Sequence, residues 1–295
     1  MAISANCDIA VGGGNKITLC NLCDILPSSY VSAFASRFRS LISNHFVDGR
    51  SSHKESGKRG LMVSRQAPAV NHFSGLKMTL KLICAGQGRK YTSRSKWETP
   101  IENVVRGVIK RSPFVLIDVK SGHLCDARKR MRTFKAEPEF KELISSITER
   151  LDGDRVRKVA EKYFQYVTLS HVWEGEEPLF QDVNKAGSVW DLDESSPLNQ
   201  KLRKFCEVVR ADGYRWAWSD TCCIDKTVST VLNQSLKMMY KWYEASAATF
   251  VCLVDVTSPS VLGALLESIW MTRAWTSQEL LAPKVIRFYT SDWKP

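Results

Sequence analysis

Tyr214-Arg215-Trp216-Ala217-Trp218-Ser219-Asp220-Thr221-Cys222-Cys223-Ile224-Asp225 decides how the chain folds. Aromatic residues packed this densely, from Tyr214 to Trp218, suit a buried pleated surface, so the run predicts a core strand. It stops abruptly at a polar cluster. Carboxylates just past the end of a core strand need partners or a function, because burying a charge without compensation is costly. Ser219, Asp220 and Asp225 therefore mark the first candidate wall of a site.

Working outward, strand and helix signals alternate from Pro113 onward. Upstream lie a strand at Pro113 to Val119, closed by Lys120-Ser121-Gly122, and a helix at Pro138 to Leu151. A second helix runs through Val156, Val159 and Ala160, and the strand Phe164 to Leu169 ends in Ser170-His171-Val172-Trp173. Ser196-Pro197 opens a helix as a capping serine followed by proline in the first turn. Leu198, Leu202, Phe205 and Val209 form its apolar face, and Asp212-Gly213 stops it. Downstream, a helix from about Thr230 carries Leu232, Leu236, Met239, Tyr243 and Ala247 at the same spacing. The strand Thr249 to Val256, a helix through Leu262, Leu265, Leu266 and Ile269, and the strand Val285 to Tyr289 complete the series. Such alternation predicts an α/β fold, a doubly wound and mostly parallel sheet covered on both faces. Ligands bind such sheets beyond the carboxyl ends of the strands. Two polar clusters fall there, Ser170-His171-Trp173 and Ser219-Asp220 with Asp225, and a third, Arg273 to Glu279, follows the next strand after one intervening helix.

The N-terminal part differs in kind. Residues 1–160 hold 28 Lys and Arg against 14 Asp and Glu, and the remainder 14 against 17, so the net charge of +11 belongs to the first half. Residues 1–48 form a segment of unassigned role, with a glycine-rich loop at 12–14 and a helical pattern from Tyr30 to Phe46. Residues 49–111 carry 14 basic and three acidic residues with no sustained periodicity, which predicts a basic, poorly ordered linker. No recognition helix or stacking platform accompanies that charge, so nucleic acid is not expected as a partner. The third unit then spans residues 112–295. Cys20 and Cys23 make one C-x-x-C, and a structural zinc site needs four ligands, so no metal is expected. Nine cysteines at irregular spacing, with no secretory signal, predict reduced thiols and a cytoplasmic protein. No stretch approaches the roughly 18–20 apolar residues of a membrane span.

Three segments in this order and separation resemble the fungal heterokaryon incompatibility (HET) domain: Tyr166 to Trp173 (YVTLSHVW), Tyr214 to Lys226 (YRWAWSDTCCIDK) and Thr272 to Val285 (TRAWTSQELLAPKV). The helix at Lys237 to Ala245 (KMMYKWYEA) fits as well, and the resemblance covers about residues 111–295. It implies a module of nonself recognition and programmed cell death when unlike fungal cells fuse. It also implies a distant kinship with TIR domains, hence a TIR- or flavodoxin-like sheet, and some TIR domains cleave NAD at the nicotinamide–ribose bond. Trp275-Thr276-Ser277-Gln278-Glu279-Leu280 has the form of the segment bearing their essential glutamate, which makes Glu279 the catalytic candidate. Ser170, His171, Trp173, Asp220, Asp225, Arg273 and Trp275 are the substrate-binding candidates. NAD enters as a substrate, with no bound cofactor. Expected partners are a second copy of the chain and other incompatibility or death-signalling proteins. The alternative is a non-enzymatic module in which the same surface oligomerises to signal incompatibility. Two positions depart from the family pattern: Lys226 stands where many members carry Gln, and Val228 to Ser235 lacks the usual acid, with Val231 and Gln234 there instead.

Overall fold

A computed structural model of the chain describes residues 7–11, 15–20 and 92–294, except 148, 258–263 and 274. The glycine loop at 12–14, Cys23 of the C-x-x-C pair, the helix expected at Tyr30 to Phe46, and the linker up to residue 91 lie outside the described residues. In chain order the elements begin with β1 (Cys7–Val11), β2 (Asn15–Cys20), α1 (Thr92–Ile109), β3 (Val115–Asp118) and β4 (Leu124–Asp126). Helices α2 (Ala127–Ala136), α3 (Pro138–Ser145) and α4 (Gly153–Tyr163) follow. The central unit comprises β5 (Tyr166–His171), α5 (Phe180–Ala186), α6 (Pro197–Ala211), β6 (Trp216–Trp218), α7 (Ser229–Ala245) and β7 (Ala248–Leu253). The last elements are α8 (Ala264–Glu267), a 3-10 turn at Ile269–Thr272, α9 (Thr276–Leu281) and β8 (Val285–Thr290).

All strands join one mixed sheet in the order β1-β2-β8-β7-β5-β6-β3-β4. From β2 to β6 every pairing is parallel, as the alternation of signals implies. The two ends are antiparallel: the β1–β2 hairpin at one edge, and β3 with β4 and β6 at the other. The expectation of a mostly parallel sheet therefore holds for the middle and fails at the ends. A connection as short as the one between β3 and β4 permits only a hairpin. Gly122 makes that hairpin turn with φ +76°, and a Cβ there would lie 2.5 Å from Cδ1 of Trp190.

Register assigns the sheet two faces. Trp216 and Trp218 of β6 share a face with Tyr166, Thr168 and Ser170 of β5 and with Thr249 and Val251 of β7. Helix α7 covers that face: Trp242 and Tyr243 meet the Trp218 ring edge-on at 5.8 and 5.6 Å. The tyrosine hydroxyls of Tyr166 and Tyr243 donate to the carbonyls of Trp242 and Leu169, at 2.6 and 3.2 Å. Helix α6 covers the opposite face, where Phe205 packs on Phe250 of β7. Trp216, Trp218 and Trp242 are fully or nearly fully buried, so the aromatic run is the core strand its composition implies. Burial of each such side chain contributes roughly 1.5–3 kcal/mol.

The C-terminal part of the expected linker is different from its reading. Residues 92–109 form α1, whose Ile101, Val105, Val108 and Ile109 are buried against α4, α2 and α3. Those four residues carry the apolar stripe, which the basic composition of the wider stretch hid. The packed unit therefore begins well before residue 112. Arg130 of α2 is buried without a carboxylate. Its guanidinium donates to Ser112 Oγ at 2.6 Å and to the Pro113 carbonyl at 2.8 Å, and burial pushes its pKa down to about 10. Cys125, Cys206, Cys222, Cys223 and Cys252 are free and buried.

Replacing Gly122 by alanine combines an unfavourable positive φ with overlap against the Trp190 ring. The expected loss is about 2–4 kcal/mol, read from the midpoint shift in urea unfolding; an unchanged midpoint would show that the hairpin turn does not constrain the fold.

Candidate functional site

The order β6-β5-β7 creates a divergence in the middle of the sheet. From β5 the chain crosses by α6 to β6 on one side, then returns by α7 to β7 on the other. Beyond the strand ends at such a point the flanking loops part and leave a crevice. A cavity of about 470 Å³ lies here, lined by Trp173, Asp220, Ile224, Lys226, Leu232, Leu236, Met239, Arg273, Trp275 and Glu279. All three sequence clusters reach it. One wall is apolar and comes largely from α7. The other holds two cations and two carboxylates.

Glu279 is the deepest of these, only 3 % exposed. A chain of contacts fixes it. The Trp270 indole donates to Ser170 Oγ at 2.8 Å, and that hydroxyl donates to Glu279 Oε2 at 2.5 Å. Arg273 Nη1 stands 3.4 Å from the same oxygen and donates to the His171 carbonyl at 2.5 Å. The 3-10 turn that delivers Trp270 is itself held by Asp255, which accepts from Ser268 Oγ and the Ile269 amide. Desolvation raises the Glu279 pKa above its ordinary value; the Arg273 charge and the Ser170 hydroxyl oppose this without cancelling it.

Around the mouth, Trp173 and Trp275 are 43 % and 50 % exposed. Lys226 Nζ sits 4.1 Å from the centroid of the Trp173 ring and donates to the Thr221 carbonyl. Burial lowers the Lys226 pKa despite the attraction of Asp220. Such a cation over an indole face is worth roughly 0.5–2 kcal/mol.

His171 lies behind the cavity wall, 2 % exposed. Its Nε2 faces Asp220 Oδ1 at 3.8 Å and its Nδ1 faces Glu177 Oε1 at 3.5 Å. Glu177 in turn pairs with Lys201 Nζ at 2.5 Å, and Lys201 reaches Glu174 at 3.0 Å. Burial opposes a charged imidazole here, but the facing Asp220 and Glu177 carboxylates outweigh it and the His171 pKa is raised.

The structure therefore brings Trp173, Asp220, Arg273, Trp275 and Glu279 to one cavity, with Ser170 and His171 directly behind it. Asp225 is not among the lining residues. It accepts from Thr227 Oγ1 and N and from Gln181 Nε2, which lowers its pKa and makes it a brace of the turn before α7. Glu177, Lys201 and Trp270 escaped the sequence reading. Lys201 alone left a trace, as a lysine on the buried side of α6, three residues after Leu198. Lys226 was legible only as a departure from a family pattern, yet it lines the cavity. Groups of His, Cys, Asp and Glu suited to hold a metal are absent among the described residues.

Residues 166–265 match the family model described as heterokaryon incompatibility protein (HET). That span holds the first two clusters and α7 and ends before Arg273 and Glu279. The chain is 33% identical over 161 residues to the vegetative incompatibility protein HET-E-1 of Podospora anserina, a match covering 50% of this chain and 11% of the relative. The matched region is thus a small part of that protein. No solved structure matches the chain. Among the described residues no helix is long and apolar enough to cross a membrane. Strand-end clusters, family model and relative all point to one assignment: the chain carries a fungal heterokaryon incompatibility (HET) domain.

Proposed function

We propose that the chain acts in heterokaryon incompatibility and the cell death that follows it, and that its cavity cleaves the nicotinamide–ribose bond of NAD or a related nucleotide. The observation that carries the reading is the meeting of three distant segments around one cavity with the buried Glu279 carboxylate at its floor. The strand order β6-β5-β7-β8 supports a TIR- or flavodoxin-like classification, because a flavodoxin-like sheet also changes direction beside its first strand and binds its ligand there.

In this reading the planar Arg273 fork and Lys226 hold the pyrophosphate, while Trp173 or Trp275 stacks on a ring. The wall of Ile224, Leu236 and Met239 takes the apolar faces of the ligand. When the bond between the ribose C1′ and the nicotinamide nitrogen breaks, its electron pair leaves with nicotinamide and the sugar becomes oxocarbenium-like. Ionised Glu279 stabilises that positive charge. Water then adds to C1′ and releases a proton. Arg273 keeps Glu279 ionised against the cost of its burial. The exposed Trp173, Trp275, Tyr240 and Ile269 favour a second role for the surface, contact between copies of the chain.

Purified chain incubated with NAD at concentrations that allow self-association should release nicotinamide, and Glu279→Gln should lower the rate at least about a hundredfold. Equal release by both proteins overturns the enzymatic reading. Cell killing that survives Glu279→Gln but is lost with Trp275→Ala would favour the interaction module.

The pH profile provides a separate check. Since the Glu279 pKa is raised, the acid limb of the rate should lie above the ordinary glutamate value of 4.5. Removing the Arg273 charge leaves desolvation less opposed, so Arg273→Gln should move that limb to still higher pH; a shift toward lower pH would refute the assigned electrostatics.

A further inference from the structure

His171 occupies an arrangement that Glu279 chemistry does not require. It is wholly enclosed, and neither ring nitrogen makes a well-formed hydrogen bond. A carboxylate oxygen faces each nitrogen, 3.5 Å from Nδ1 and 3.8 Å from Nε2. A neutral imidazole has one donor and one acceptor nitrogen, so either tautomer would turn a lone pair toward a carboxylate. Only the imidazolium donates at both ends. Carboxylates facing both nitrogens thus favour the charged ring.

We propose that His171 is a buried imidazolium that fixes the Asp220 carboxylate in the cavity wall. It is a positioning residue, acting on the ligand through Asp220. Glu177 supplies the countercharge from behind, and Lys201 pins Glu177 by a 2.5 Å contact so that it stays ionised. This rests on the cavity being the working site, and it leaves the identity of the ligand open.

Several other groups face the ring. Lys201, from α6, repels the imidazolium and acts against the two carboxylates. Glu279, from α9, attracts it. Arg273 approaches through the His171 backbone carbonyl rather than the ring. Cys252, the register partner on β7, has its pKa raised to about 12 by burial and stays neutral beside it. Two facing carboxylates, with a third beyond them, outweigh burial and the one lysine, which shares Glu177 Oε1 with the ring.

The sign of the pH effect follows. The folded pKa of His171 lies above the ordinary 6.5, so its contribution to stability is complete below 6.5 and fades as pH rises through the folded value. Over the same interval Asp220 loses its anchor. An alkaline limb in cavity function should result, separate from the acid limb set by Glu279.

The test is direct on the full chain labelled with ¹⁵N-histidine. Long-range proton–nitrogen spectra, with His171 assigned through its backbone, report protonation of both ring nitrogens between pH 5 and 10. The expected result is a doubly protonated ring at pH 7.5. Asp220→Asn and Glu177→Gln should each lower the midpoint by about one pH unit, the usual effect of one adjacent charge. A neutral, single-tautomer His171 at pH 7.5 overturns the proposal, as does a midpoint that Asp220→Asn leaves unmoved. Where NAD turnover is measurable, its alkaline limb should coincide with the His171 midpoint and move with it in Glu177→Gln. Absence of turnover would count against NAD cleavage alone, because the spectra decide the His171 bridge without any ligand.

Discussion

Every residue of β5 is buried, and that constraint governs the rest. The strand lies between two parallel neighbours and under helices on both faces, yet it carries Thr168, Ser170 and His171. Polar groups in such a place require partners, and apart from Glu177, in the segment just after the strand, those partners come from distant parts of the chain. Thr168 pairs with Thr249 at 2.6 Å. Ser170 is satisfied by Trp270 and Glu279, about a hundred residues away. His171 is flanked by Glu177 and Asp220. Each of these demands draws a distant segment to the carboxyl end of β5, so the polar content of one strand assembles the site.

Much of this was readable because local signals agreed with the final structure. The Ser196-Pro197 start, the apolar stripe of α6, the Gly213 stop and the aromatics of β6 all sit where their chemistry places them. Cluster positions after β5 and β6 follow from chain order alone. What stayed hidden depends on tertiary pairing or on mixed composition. In α1 the buried Val105 sits at the end of a stretch whose overall basic composition reads as linker, and in α2 the buried Phe134 stands among basic side chains that mask its apolar face. Arg130 looks like any exposed cation until three backbone and hydroxyl acceptors close over it. Asp225 has the residue type and position of a wall residue but turns toward Thr227 and Gln181. Glu177 has no periodic signature, since only the fold brings Lys201 and His171 to it.

The two buried acids of the site occupy opposite regimes. Glu177 is bracketed by Lys201 and His171, and their contacts pull its pKa down in spite of burial. Glu279 has a single cation at 3.4 Å, so desolvation prevails and its pKa rises. Carboxylates held apart in this way can serve different ends within one site: one stays ionised as scaffold, and the other remains responsive to whatever enters the cavity.

The sheet closes at one border by an unusual route. Strand β8, last in the chain, has its outer side paired by β2, from the first twenty residues, through Thr18 to Cys20. Strand β1 takes the border position in turn, so among the described residues the edge of the sheet belongs to the first strand rather than to β8. The hairpin relocates the sheet's edge to the N-terminal segment, where any strand that adds to this side would have to dock.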